Sequence, residues 1–223
     1  MIQLTINNKK ISADAGTTIL EAAKQNGVNI PSLCYLEGVH QFGSCRICSV
    51  EVEGARTLQA ACMAEVREGM VVHTNSKKVQ KTRKVLYELM LSDHSKNCLS
   101  CVRNQTCELQ QLGNILGIAE NRFQTGSARE EIDISPSITR DLSKCILCRR
   151  CITACKEIQG VGILDAQNRG FDTVIAPAMN HTINGAKCSF CGQCTVVCPV
   201  GALKETDHIT RVWDAIKIPN SEW

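Results

Sequence analysis

The chain has 223 residues, a net charge of +3, 43% hydrophobic residues and 15 cysteines. So small a charge excludes nucleic-acid binding by bulk electrostatics, and no run approaches the roughly eighteen apolar residues of a membrane span. An odd cysteine count, behind an N-terminus with no basic stretch and apolar run, argues against a secreted disulfide framework. A cytoplasmic chain with reduced thiols is expected.

Residues 1–78 read as a small α+β unit. Ile2, Leu4 and Ile6 alternate with polar residues as a half-buried strand does. A second strand around Ile11 follows across Asn7-Asn8-Lys9. Thr18 and Glu21 form a capping-box signature before a short helix carrying Ile19, Ala22 and Ala23, and Gly27 sits where that helix should stop. Ser49–Val52 and Met70–His73 are further strand candidates.

Residues 79–120 turn helical, with Val85, Leu86, Leu89 and Met90 predicted on one face. Lys77, Lys78, Lys81, Arg83 and Lys84 read as a solvated helix face. Residues 121–137, polar and containing Gly126 and Pro136, read as a linker. Residues 138–205 hold two copies of C-x2-C-x2-C-x3-C around an expected hairpin, Gly162–Ala166 and Phe171–Ala176. In the tail, 206–223, Ile209, Val212, Trp213 and Ile216 fall at helical spacing, either to pack on the preceding unit or to dock a partner. Lys217–Trp223 shows no obvious tag, which favours a natural stand-alone chain over a fragment.

The cysteines and one histidine fall into four quartets. In two-cluster ferredoxins the fourth cysteine of each C-x2-C-x2-C-x3-C run ligates the other cluster. That rule groups Cys145, Cys148, Cys151 and Cys198 around one [4Fe–4S] cluster, and Cys155, Cys188, Cys191 and Cys194 around another. Zinc sites favour separated C-x2–4-C pairs instead. Cys34, Cys45, Cys48 and Cys62, spaced C-x10-C-x2-C-x13-C, suit a [2Fe–2S] cluster, with Cys34 and Cys45 on one iron and Cys48 and Cys62 on the other. Zinc would fit those four thiolates equally well. Cys98, Cys101 and Cys107 lack a fourth thiolate, and His94 is the nearest candidate to complete a [4Fe–4S] site. His40, His73, His181 and His208 have no such company and receive no function.

This order of motifs resembles the N-terminal accessory region of catalytic subunits of NAD-linked, electron-bifurcating [FeFe]-hydrogenases. It resembles also the large iron–sulfur subunit of respiratory complex I and the N-terminus of NAD-dependent formate dehydrogenase. The motifs carrying it are Cys34-x10-Cys45-Arg46-Ile47-Cys48, His94-x3-Cys98-x2-Cys101-x5-Cys107 and the runs starting at Cys145 and Cys188, spread over residues 1–215. The resemblance implies a β-grasp [2Fe–2S] domain, a small helical domain and a two-[4Fe–4S] ferredoxin fold. The hydrogen-activating domain of those hydrogenases has no counterpart among the cysteines here, since all are assigned.

The expected function is therefore an electron-transfer subunit of a flavin-dependent NAD(P)H:ferredoxin oxidoreductase or transhydrogenase complex, with bifurcation within its scope. No residue is assigned a catalytic role. No G-x-G-x-x-G follows a strand, so the flavin and nucleotide sites belong to a flavoprotein partner in a hetero-oligomer, with ferredoxin or a further redox subunit beyond it. Alternatives are a relay to formate dehydrogenase or hydrogenase and, from another class, a zinc-stapled scaffold.

Overall fold

The computed structural model describes residues 1–118, 120–123 and 131–217. Strands β1 (Ile2–Ile6), β2 (Lys9–Ala13), β3 (Ser49–Val52), β4 (Gln59–Ala60) and β5 (Val71–His73) form one sheet in the order β2-β1-β5-β3-β4. β1 and β5 are parallel, with Thr5 opposite Val71, and the other pairs are antiparallel. Asn7 and Asn8 both take positive φ, the turn geometry that a two-residue hairpin between right-twisted strands needs. Leu4 and Ile6 enter the core opposite the Ile11 strand, as their alternation predicts.

Helix α1 (Ile19–Gln25) covers the sheet. Its capping box forms: Glu21 N donates to Thr18 Oγ1 at 3.3 Å and Thr18 N to Glu21 Oε2 at 3.1 Å. Tyr35, next to Cys34, donates its hydroxyl to the same glutamate at 3.0 Å. Cap and first cysteine loop are thus tied together. The five strands with this helix make the expected β-grasp domain.

Helix α2 (Lys77–Ser92) buries a different face from the one expected. Val79, Arg83 and Tyr87 are buried, Leu86 and Met90 pack partly, and Leu89 is about half exposed. Arg83, expected among the solvated lysines, is not solvated. Its stem continues the apolar stripe and its head donates to Ile47 O and Ser49 O, both at 2.9 Å. Lys77, Lys78, Lys81 and Lys84 are exposed, as expected. Tyr87 packs on helix α3 (Glu108–Leu116) so closely that a Cβ at Gly113 would collide with its hydroxyl.

Part of the expected linker is a strand. β6 (Ile132–Ile134) pairs with β7 (Ile138–Asp141), which pairs in turn with β10 (Leu203–Glu205). The pattern escaped detection because it is inverted: Ile132 and Ile134 face out, while Asp133 is buried against Arg140. Gly126 lies outside the described residues. The hairpin forms later than expected, as β8 (Asp165–Gln167) and β9 (Val174–Ala176). The amides of Val161 and Gly162 both bond Cys155 O, which holds the chain out of the strand until Asp165. Helices α4 (Arg150–Thr153) and α5 (Gln193–Val196) follow the two cysteine runs, and a π-turn over Ala154–Ile158 carries Cys155.

Helix α6 (Ile209–Lys217) is present, and its stripe Ile209, Val212, Trp213 and Ile216 is exposed rather than packed on the unit before it. Residues 218–223 of the tail lie outside the described residues. Among the described residues no helix is long and apolar enough to cross a membrane.

Candidate iron–sulfur centres

Cys34, Cys45, Cys48 and Cys62 are all buried. Cys48 and Cys62 belong to the core of the β-grasp sheet, Cys34 and Cys45 to the core shared by the rest of the chain, so the quartet sits on the seam between them. The Sγ atoms of Cys48 and Cys62 are 3.4 Å apart. Two thiolates on one tetrahedral metal with bonds of about 2.3 Å stand about 3.8 Å apart, slightly farther than this pair. Hydrogen bonds from Cys45 and Cys62 push the Cys34 thiol far down, and the same bonds push Cys45 and Cys62 up. Its bond with Cys62 lowers Cys48 to about 7. Cys34 and Cys48 are thus favoured as thiolates and Cys45 and Cys62 as the thiols that donate to them.

His94 follows α2, Cys98 opens a 3-10 turn over Cys98–Ser100, and Cys107 is the N-cap residue of α3. With Cys101 they line one hollow, closed on its far side by Gly201. A Cβ at Gly201 would stand 2.6 Å from Cys101 Sγ, so only glycine leaves that sulfur its place. His94 Nε2 is buried and has no hydrogen-bond partner among the described residues. A buried imidazole nitrogen without a partner is costly unless something else fills the role. Burial lowers the His94 pKa, which keeps the ring neutral, the form that ligates a metal. The residues fit an iron–sulfur group.

The two remaining runs are a conformational repeat as well as a sequence repeat. Leu147 and Phe190, each two residues beyond the first cysteine, have φ of 54° and 53°. Arg149 and Gly192, four beyond it, have φ of 67° and 74°. The left-handed steps curl each loop so that amides turn inward, and Phe190 N donates to Cys188 Sγ at 3.3 Å. Cys145, Cys148, Cys151 and Cys198 line one hollow, and Cys155, Cys188, Cys191 and Cys194 another. The crossing of the two fourth cysteines that the spacing predicted is therefore the grouping in space. Burial pushes the thiols of Cys148, Cys151 and Cys194 up, the last to about 12, an energetic cost that a bound cation reverses.

Among the described residues no three Cys, His, Asp or Glu side chains draw together tightly enough for a single metal ion. The His94, Cys145 and Cys188 quartets each ring a hollow instead, a spacing that suits a cage of irons and sulfides.

Three residues in this region were given no role by the sequence. Arg150 is buried and donates to Cys34 O at 3.4 Å, Tyr35 O at 3.0 Å and both carboxylate oxygens of Glu108 at 2.6 and 2.8 Å. Ser44 Oγ donates to Cys148 O at 3.3 Å. His40 is buried between the first cysteine loop and α4, its Nδ1 2.6 Å from Thr153 Oγ1 and its ring stacked on Phe42. The arginine pair inside Cys148-x2-Cys151 was the one signal available, since charge within a ligand loop has to find a partner.

Comparison with known proteins accounts for these regions in turn. Residues 1–77 match a 2Fe-2S iron–sulfur cluster binding domain, residues 83–122 the iron–sulfur binding region of NADH-ubiquinone oxidoreductase-G, and residues 135–204 the ferredoxin-like domain of NADH-quinone oxidoreductase subunit 3. The chain is 45% identical over 99% of its length to 39% of the NADP-reducing hydrogenase subunit HndD of Solidesulfovibrio fructosivorans. It is 38% identical over 91% of its length to 24% of the NADPH-Fe(3+) oxidoreductase subunit alpha of Geobacter sulfurreducens. It is 32% identical over 94% of its length to 29% of the mitochondrial NADH-ubiquinone oxidoreductase 78 kDa subunit of Candida albicans. It therefore spans well under half the length of these relatives. A crystal structure of an NAD+-reducing [NiFe]-hydrogenase in the H2-reduced state superposes with a TM-score of 0.84 at 28% identity, covering 92% of this chain and 87% of that one. The chain is thus similar to a part of these iron–sulfur subunits, and in order it matches a 2Fe-2S cluster binding domain, an oxidoreductase-G iron–sulfur binding region and a ferredoxin-like domain.

Proposed function

We propose that this chain is the electron relay of a hetero-oligomeric NAD(P)H oxidoreductase, taking electrons singly from a flavoprotein and handing them to ferredoxin or a further redox subunit. Its ligand sets are Cys34/Cys45/Cys48/Cys62 for one [2Fe–2S] cluster, and His94/Cys98/Cys101/Cys107, Cys145/Cys148/Cys151/Cys198 and Cys155/Cys188/Cys191/Cys194 for three [4Fe–4S] clusters. When bound, such clusters supply one-electron uptake and release. The observation that carries the reading is contiguity. The Cys145 hollow touches the first quartet through Ser44 and Arg150, and the His94 quartet through Gly201 and the bond from Glu108 N to Pro199 O at 3.0 Å. It shares a wall with the Cys188 hollow, because Leu164 lines both.

The chain's own residues bury all four cysteines of the first quartet, hold His94 neutral and aim a loop amide at Cys188 sulfur. These are the levers that set a cluster's potential. A second reading, a relay inside a hydrogenase, is favoured by the 45% identity to the hydrogenase subunit. The discriminating experiment is anaerobic purification of the native protein with mass spectrometry of what co-elutes and an assay for flavin. A co-eluting flavoprotein, with visible bleaching on addition of NADH or NADPH, supports the first reading. A hydrogen-activating partner and bleaching by H2 support the second. A solitary protein inert to both contradicts each.

A further inference from the structure

The buried guanidinium of Arg150 reaches the loops of three quartets at once. Cys34, whose carbonyl it holds, belongs to the first. Glu108, which it grips through both oxygens, follows Cys107 of the second. Arg150 itself precedes Cys151 of the third. An apolar side chain of similar volume would serve stability as well as a buried ion pair does. What the planar fork adds is fixed direction to several acceptors at once, which a lysine cannot reproduce. We propose that Arg150 and Glu108 are positioning residues of the relay: their fork fixes the spacing of three cluster sites, and through that spacing the rate of electron passage. The proposal rests on the relay reading. One electron leaves a reduced site and arrives at its oxidised neighbour, with no bond made or broken. Because transfer falls steeply with distance, loops that move apart slow it.

The test uses the full chain, purified anaerobically with its iron, and the variants Arg150→Lys, Arg150→Met and Glu108→Gln. Three quantities are read: iron per chain, spin coupling between neighbouring clusters by pulsed EPR, and hydrogen exchange of residues 34–36 and 107–109. The expected result is iron close to wild type in Arg150→Lys and Glu108→Gln. Protection of both segments should fall about tenfold or more, as loss of a charged hydrogen bond implies. Spin couplings should weaken and broaden, and Arg150→Met should show the larger effect. Unchanged couplings and exchange with full iron would overturn the proposal. Loss of iron in all three variants would overturn it too, because the fork would then be a folding element. A wild type without iron would instead sink the relay reading, and the exchange comparison would still judge the fork.

Discussion

Ser44 Oγ and the carbonyl of Cys148 are joined by a hydrogen bond of 3.3 Å across 104 residues of sequence. Each partner stands in or beside a different cysteine quartet, so the β-grasp loop lies directly on the ferredoxin-like loop. The fold thereby turns separate metal-binding motifs into neighbours, which a relay requires and a set of independent structural zinc sites does not.

Replacing His94 by cysteine exchanges a neutral ligand for an anionic one. The second cluster should persist in His94→Cys, and its midpoint potential should fall, since added negative charge favours the oxidised state. An EPR-monitored redox titration checks this. An unchanged titration and spectrum would show that His94 is not a ligand.

Gly201→Ala places a methyl group 2.6 Å from Cys101 Sγ. That substitution should cost the His94 quartet its cluster, about four irons per chain, while the β-grasp cluster survives. Iron analysis with visible spectra separates this selective loss from general unfolding.

Asp133 accepts from Arg140 at 3.3 Å and from the amide of Ile183 at 2.9 Å. Asp133→Ala leaves a buried guanidinium without its charge partner and should destabilise the ferredoxin-like unit by about 3–5 kcal/mol. Denaturant melts of wild type and variant measure it. A change below about 1 kcal/mol would mean that Glu131, also near Arg140, takes over the charge.

The capping box predicts a pH signature. Burial pushes Glu21 up, but hydrogen bonds from the Thr18 amide, the Thr18 hydroxyl and Tyr35 outweigh it and leave the pKa below its ordinary 4.5. A carboxylate depressed in the folded state stabilises fully above its unfolded pKa and loses that contribution as pH falls through the folded value. The melting-temperature gap between wild type and Glu21→Gln should therefore hold at neutral pH and narrow below about pH 4.5. Thr18→Ala should cost about 1 kcal/mol.

The cysteine spacings carried most of this account. Two residues between cysteines forces a tight loop, and the crossed fourth cysteines follow from one fold that repeats itself, so the groupings of the last two runs were legible without coordinates. The capping box was legible because its partners are three residues apart. What escaped was non-local or inverted. Arg83 and Asp133 look like surface charges because charge usually is solvated; Arg83 is buried by carbonyls more than 30 residues away and Asp133 by Arg140 across the β6–β7 pair. Arg150 and His40 were given no role for the same reason, since their partners lie more than 40 residues away.

Quantitative iron and sulfide analysis, joined to EPR and Mössbauer spectra of the chain purified without oxygen, tests the relay account most directly. The account predicts about fourteen irons per chain, as one [2Fe–2S] and three [4Fe–4S] clusters, all reducible. A colourless protein with about four zinc ions and no sulfide would contradict it.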